Sequence, residues 1–209
     1  MTRPHSLRLA ALLGALALTT ALGACAPLIV GGAMIGGTMM ATDRRTSGAQ
    51  IEDQAIELKS LNRIRDVLGE RGRVSTTSYN RMVLITGAVP AEADKAAVEQ
   101  AVQRVENVRS IVNDVEVMGS PSFASQSNDA ILTSKVKATF VDARDLSANA
   151  FKVVTERGTV YLMGRVTERE ATRATELTRG ISGVQKVVRL FEIITETELA
   201  ELQPRPAAK

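Results

Sequence analysis

Val83-Leu84-Ile85-Thr86-Gly87-Ala88-Val89 returns 77 residues later as Val160-Tyr161-Leu162-Met163-Gly164-Arg165-Val166. Each is a short apolar run with glycine at its fifth position, which reads as a strand buried in a sheet. The neighbourhoods repeat as well. Asn107-Val108-Arg109-Ser110-Ile111-Val112 matches Gly183-Val184-Gln185-Lys186-Val187-Val188 at an offset of 76, and Ala55-Ile56 matches Ala130-Ile131 at 75. A drift of one or two residues is what short loop changes produce. Two copies are too few for a solenoid, so the spacing predicts two small domains.

Outward from the glycine strands, each copy reads α-β-β-α-β. First helices are expected over 53–69 and 128–142, with Asp53 and Asn128 as N-caps. Hairpins follow, with strands over 73–79 and 82–89, then 151–156 and 159–166; Glu156-Arg157-Gly158 makes the second turn. Second helices are expected over 91–106 and 168–181. Ala97, Val98, Ala101, Val102 and Val105 give the former one apolar stripe, and Thr167 with Glu170 forms a capping-box pattern before the latter. Last strands cover 108–118 and 184–194. The predicted fold class is α+β: two tandem αββαβ domains, each a three-stranded sheet with two helices on one face. Residues 51–118 form the first domain and 128–195 the second. Residues 119–127 (GSPSFASQS) read as a linker. Residues 196–209, polar and with two prolines, read as a flexible tail.

The N-terminus is an address. Arg3 and Arg8 precede the apolar run Leu9 to Leu18, which is too short for a bilayer core needing roughly 20 apolar residues. Leu22-Gly23-Ala24-Cys25 then resembles a bacterial lipobox. Residues 1–24 are read as a lipoprotein signal peptide, Cys25 as the lipidation site, and 25–50 as a lipidated linker. Within it, residues 26–41 carry no charge and four glycines. Ala26 after the cysteine favours the outer membrane, since lipoproteins kept at the inner membrane usually have Asp there.

Composition narrows the chemistry. The chain of 209 residues has one Cys, one His and no Trp. Cleavage removes His5, and lipid occupies Cys25. Ser-His-Asp and Cys-His catalysis and any imidazole or thiolate metal site are therefore excluded from the mature chain. No phosphate-binding glycine loop is present. No cofactor, metal or nucleic-acid partner is expected, and the chain is read as a non-enzyme. The formal charge of +3 comes from 26 Lys+Arg against 23 Asp+Glu. Loss of Arg3 and Arg8 leaves 24 against 23, so any electrostatic message lies in how charge is distributed. Residues 51–117 hold nine basic and eleven acidic residues, and residues 129–195 hold eleven and eight. An anionic surface should therefore prefer the second copy.

The two αββαβ units, each with a strand-Gly-turn before its second helix and a Gly-Val or Asn-Val step after it, resemble tandem BON domains. Behind a lipobox, the arrangement is similar to the dual BON-domain outer-membrane lipoproteins. The nearest stretches are Ala41-Thr42-Asp43, Ser127-Asn128-Asp129, Val166-Thr167-Glu168-Arg169-Glu170-Ala171 and Ser182-Gly183-Val184. The resemblance implies a lipid-anchored, periplasm-facing outer-membrane protein that supports membrane integrity and gathers at the division site. It further implies binding of anionic phospholipid (phosphatidylglycerol, cardiolipin) through the second domain.

The first helix of that domain carries the candidate site. At 100° per residue Leu132, Thr133, Val136, Thr139 and Phe140 share one face, expected to be core. Ile131, Ser134, Lys135, Ala138 and Val141 share the opposite face, with Asp142 beside them and Lys137 on the core flank. Apolar residues around a lysine suit shallow insertion between headgroups, with Lys135 on phosphate. A family member carries Trp where this chain has Ile131, and isoleucine lacks the indole's interfacial preference. The same face suits docking of an envelope protein, so an interaction adaptor without direct lipid recognition is the alternative reading.

Overall fold

The computed structural model describes residues 43–119 and 123–202. Residues 1–24, read as a signal peptide, Cys25 and residues 203–209 lie outside the described residues. The order is α1 (Ser47–Leu68), β1 (Arg73–Tyr79), β2 (Met82–Val89), α2 (Glu92–Gln103) and β3 (Ser110–Val117). The second copy follows with α3 (Phe123–Asp142), a 3-10 turn (Ala148–Ala150), β4 (Phe151–Glu156), β5 (Thr159–Val166), α4 (Glu168–Arg179) and β6 (Lys186–Ile193). A short α5 (Glu196–Leu202) ends the described chain. Each copy has a three-stranded sheet with the glycine strand in the middle, β1-β2-β3 and β4-β5-β6. The hairpin pair is antiparallel, and the crossover through α2 or α4 makes the other pair parallel.

Side chains alternate across a strand, so each central strand feeds two cores. Val83, Ile85 and Val89 of β2 meet Ile56, Ile64 and Leu68 of α1 and Val98 and Val102 of α2. Val160, Leu162 and Val166 of β5 meet Val136 and Phe140 of α3 and Ala171 and Ala174 of α4. Both helices of each copy thus cover one sheet face. The intervening residues face the other way. Leu84 and Tyr79 of the first copy join Tyr161 and Met163 of the second in a third cluster, all four nearly fully buried. The two sheets therefore pack against each other inside the compact unit Met39–Lys209, giving four layers from helices to helices. Burial of β2 on both faces is why its sequence runs apolar without strict alternation.

Gly87 and Gly164 have a steric role. A Cβ on Gly87 would run into the Arg73 carbonyl, and one on Gly164 into the Ala150 carbonyl. The neighbouring backbone, β1 at Gly87 and the 3-10 turn at Gly164, passes too closely for a side chain at either position.

Helix starts depart from expectation. Thr46, not Asp53, caps α1: its hydroxyl accepts from Ala49 N–H at 3.2 Å. Likewise α3 begins at Phe123, inside the stretch read as linker, so Asn128 is interior and caps nothing. Asp53, read as a cap, and Asp129, the neighbour of Asn128, form a different device. Asp53 and Asp129 sit on the inward side of their helices and reach the hairpin turns. Asp129 accepts from Arg157 N–H at 2.8 Å and Gly158 N–H at 2.9 Å. Asp53 accepts from Asn80 N–H at 2.7 Å, Arg81 N–H at 2.8 Å and the Ser78 hydroxyl at 2.7 Å. Both turns have two residues, each with positive φ: 48° and 68° at Asn80 and Arg81, 48° and 72° at Arg157 and Gly158. That is the hairpin geometry matching strand twist, and it aims consecutive N–H groups at one carboxylate.

The capping box at α4 forms as expected, with Thr167 accepting from Glu170 N–H and Glu170 accepting from Thr167 N–H. A second box lies in the stretch read as flexible tail. Thr195 and Glu198 bond reciprocally, and Leu199 is buried, so residues 196–202 are a docked helix.

Candidate membrane-contacting site

Two hydrogen-bonded clamps 76 residues apart correct the register of the repeat. Asp53 corresponds to Asp129, so Ala55-Ile56 corresponds to Ile131-Leu132 rather than to Ala130-Ile131. Burial agrees: Ile56 is 1% exposed and Leu132 7%, whereas Ile131 is 53% exposed.

The facing of α3 follows from its core side. Val136 and Phe140 are fully buried, and the Phe140 ring lies 5.0 Å from Phe151, which in turn meets Phe191 edge-on at 5.9 Å. This aromatic stack holds the helix against the sheet. Thr133 and Thr139, expected in the core, are only half-buried. They flank it, and the Thr133 hydroxyl bonds the Thr155 hydroxyl at 2.8 Å.

Ile131, Ser134, Lys135, Ala138 and Val141 are all exposed, Val141 at 71%. Ser134 is less polar than its name, because its hydroxyl donates to the Ala130 carbonyl at 2.9 Å. The result is a shallow apolar depression of about 470 Å³ over Ala130, Ile131, Ser134, Lys135 and Ala138. No ion pair among the described residues engages Lys135, so its ammonium is available to an anion. Ile131 and Lys135 also border a cleft of about 590 Å³ that runs to the Arg157-Gly158 turn, Ser182 and Gln185. The Arg157 guanidinium bridges to the first copy, pairing with Glu116 at 2.7 Å.

The same face of α1 differs at the matching positions, which are Ala55, Leu58, Lys59, Asn62 and Arg65. Lys59 is paired with Glu106 at 3.2 Å. Polar Asn62 and Arg65 stand where α3 has Ala138 and Val141. The first copy is therefore the poorer match for an anionic, apolar surface. The described residues hold no cluster of three or more His, Cys, Asp or Glu side chains able to bind a metal. None of their helices is long and apolar enough to cross a membrane.

This architecture defines a tandem αββαβ protein. BON-domain models match residues 52–119 and 128–195. The chain is 38% identical over 197 residues to the outer membrane lipoprotein DolP of Haemophilus influenzae, covering 93% of this chain and 100% of that protein. It is 27% identical over 154 residues to the 21 kDa hemolysin of Actinobacillus pleuropneumoniae, covering 73% and 79% of the two chains. Among solved structures, CdsD, a structural protein of the type III secretion system of Chlamydia trachomatis, aligns with 71% of this chain and 99% of its own at 15% identity. The TM-score of that alignment is 0.29. The chain belongs to the BON family and, within it, to the dual BON-domain outer-membrane lipoproteins.

Proposed function

We propose that this lipoprotein, anchored through Cys25 and facing the periplasm, binds anionic phospholipid through the outer face of α3 in its second BON domain, and acts by binding rather than by catalysis. The supporting observation is the exposed ridge of Ile131, Ala138 and Val141 around an unpaired Lys135. Immersing the exposed parts of Ile131 and Val141 contributes about 1–2 kcal/mol each. A lysine near an anionic surface adds about 1 kcal/mol. Such contact is weak alone, but beside a covalent anchor it becomes intramolecular and effective. Phosphatidylglycerol and cardiolipin supply the phosphate that Lys135 would meet. The proposal extends to a role in outer-membrane integrity and at the division site, as the resemblance to dual BON-domain lipoproteins implies.

Co-sedimentation of the unit Met39–Lys209 with phosphatidylglycerol or cardiolipin vesicles, against phosphatidylcholine, tests the reading. Binding to the anionic vesicles should weaken several-fold in Ile131→Glu and Lys135→Glu and strengthen in Ile131→Trp. An Ile131→Glu variant that folds and binds like the parent would refute it and move the envelope-protein adaptor ahead.

A further inference from the structure

Just after Asp43, where the described chain opens, two consecutive arginines reach opposite ways. The Arg44 guanidinium grips Glu170 of the second domain through two parallel bonds of 2.7 Å and donates to the Arg165 carbonyl at 2.9 Å. Arg165 returns a bond to the Arg44 carbonyl at 3.2 Å. The Arg44 and Glu170 side chains are 8% and 4% exposed. Burial pushes the Glu170 carboxyl up, yet the Arg44 guanidinium and the Thr167 N–H outweigh it and hold the group below the usual carboxylate range. Arg45 turns to the first domain. It pairs with Asp53 at 2.7 Å and lies over the Tyr79 ring at 4.1 Å, and Asp43 braces it at 2.8 Å. Neither partner carboxylate is an isolated surface charge: one clamps a hairpin and the other caps a helix. Bidentate, buried pairs of this kind are costly to break from one side.

We propose that Arg44 and Arg45 are positioning residues: a clasp that seats the end of the lipid tether in the seam between the domains. Its departure point lies beside α3, because Asp43 and Arg45 share a groove with Lys137 of that helix, Asn149 and Lys152. The 17 residues between Cys25 and Asp43 span at most about 60 Å. A tether leaving beside α3 lets the anchor and the helix face engage one and the same bilayer, instead of bridging two. This last consequence rests on the lipid-contact reading above; the clasp itself does not.

Met39–Lys209 contains no cysteine, so spin labels can be placed at will. A pair at Met40→Cys and Ala138→Cys reports the tether, and a pair at Asn62→Cys and Glu176→Cys reports the domains. With the clasp intact, both pairs should give one narrow distance. Arg44→Ala with Arg45→Ala should spread the tether distance over on the order of 10 Å, as expected for a freed segment of several residues. The domain distance should stay narrow, because the buried sheet-to-sheet cluster is untouched. Glu170→Gln should loosen the tether in the same way with no change in the tether sequence, since the amide oxygen can still cap Thr167 N–H. A tether distance already broad in the parent, or still narrow in the double variant and in Glu170→Gln, overturns the clasp. For the membrane consequence, the full lipidated chain carrying a fluorophore instead of a spin label at Ala138→Cys is reconstituted in phosphatidylglycerol-containing vesicles. Quenching by brominated lipid in those vesicles, and none from added vesicles, is the expected result. Quenching only from the added vesicles overturns contact with the anchoring bilayer. Quenching from neither overturns the lipid-contact reading and the consequence drawn from it, while the distances judge the clasp separately.

Discussion

Asp129→Ala separates a hairpin clamp from a helix cap. The carboxylate takes the N–H groups of Arg157 and Gly158 at 2.8 and 2.9 Å, and Gly158 is buried. Hydrogen bonds to a charged group contribute about 1.5–3 kcal/mol each. Arg157 N–H is only partly buried, so water recovers some of its share, and the pair is placed at about 3 kcal/mol by the same scale. In a unit of this size each kcal/mol moves Tm by about 2–4 °C, so the melt should fall by about 6–12 °C. The neighbouring Asn128→Ala is the control. As an exposed interior residue it should cost no more than about 0.5 kcal/mol, whereas a true N-cap would cost about 1 kcal/mol. Thermal melts of Met39–Lys209 supply the stabilities, and amide exchange at Arg157 and Gly158 should quicken in Asp129→Ala alone. If Asn128→Ala proves the more damaging, the helix starts where sequence spacing placed it and the clamp is wrong.

Gly87→Ala and Gly164→Ala should each cost about 1–3 kcal/mol by forcing strands apart, read from chemical denaturation. Phe140→Ala, which removes the α3 end of the aromatic stack, should cost about 3–5 kcal/mol; Ile131→Ala, on the exposed side, should barely register. Met163→Asp places a charge in the sheet-to-sheet cluster and should part the domains, seen as a broadened distance between labels at Asn62→Cys and Glu176→Cys together with dye binding to freed apolar surface. Acid should destabilise the unit. Burial raises the Asp53 and Glu170 carboxyls, but their hydrogen bonds and arginines leave both below their ordinary values of 3.8 and 4.5. A folded-state pKa below the unfolded one contributes stability that is full above the ordinary value and is lost as pH falls through the folded value. Glu156, raised by burial, has the opposite sign and loses its contribution as pH climbs past its ordinary 4.5. Denaturation midpoints should therefore decline between roughly pH 5 and pH 3, and less steeply in Glu170→Gln; a slope unchanged by that substitution would remove Glu170 from the account.

Much of this protein is written locally. The glycine strands, the hairpins and the second helices could be placed from period, turn residues and one capping box, because each depends on neighbours within a few positions. The facing of α3 followed from 3.6-residue periodicity, since Leu132, Val136 and Phe140 leave one side for the core. The Thr195-x-x-Glu198 box was equally legible and would have revealed α5.

What escaped involves partners far apart in the chain. Asp53 and Asp129 have the chemistry of N-caps, and only the folded hairpins show that their carboxylates serve turns 28 residues away. The apolar residues alternating with the core set, Leu84, Tyr161 and Met163, hinted that both sheet faces are covered. Nothing local says what covers the second face; the other domain does. Arg44 and Arg45 read as two charges in a polar link, and they became a clasp because Glu170, 126 positions on, arrives beside Arg44. Sequence determines which groups must find a partner, since burying a charge or an apolar face alone is costly. The tertiary structure decides which partner, because that choice is made by the packing of the whole unit and not by any stretch of it.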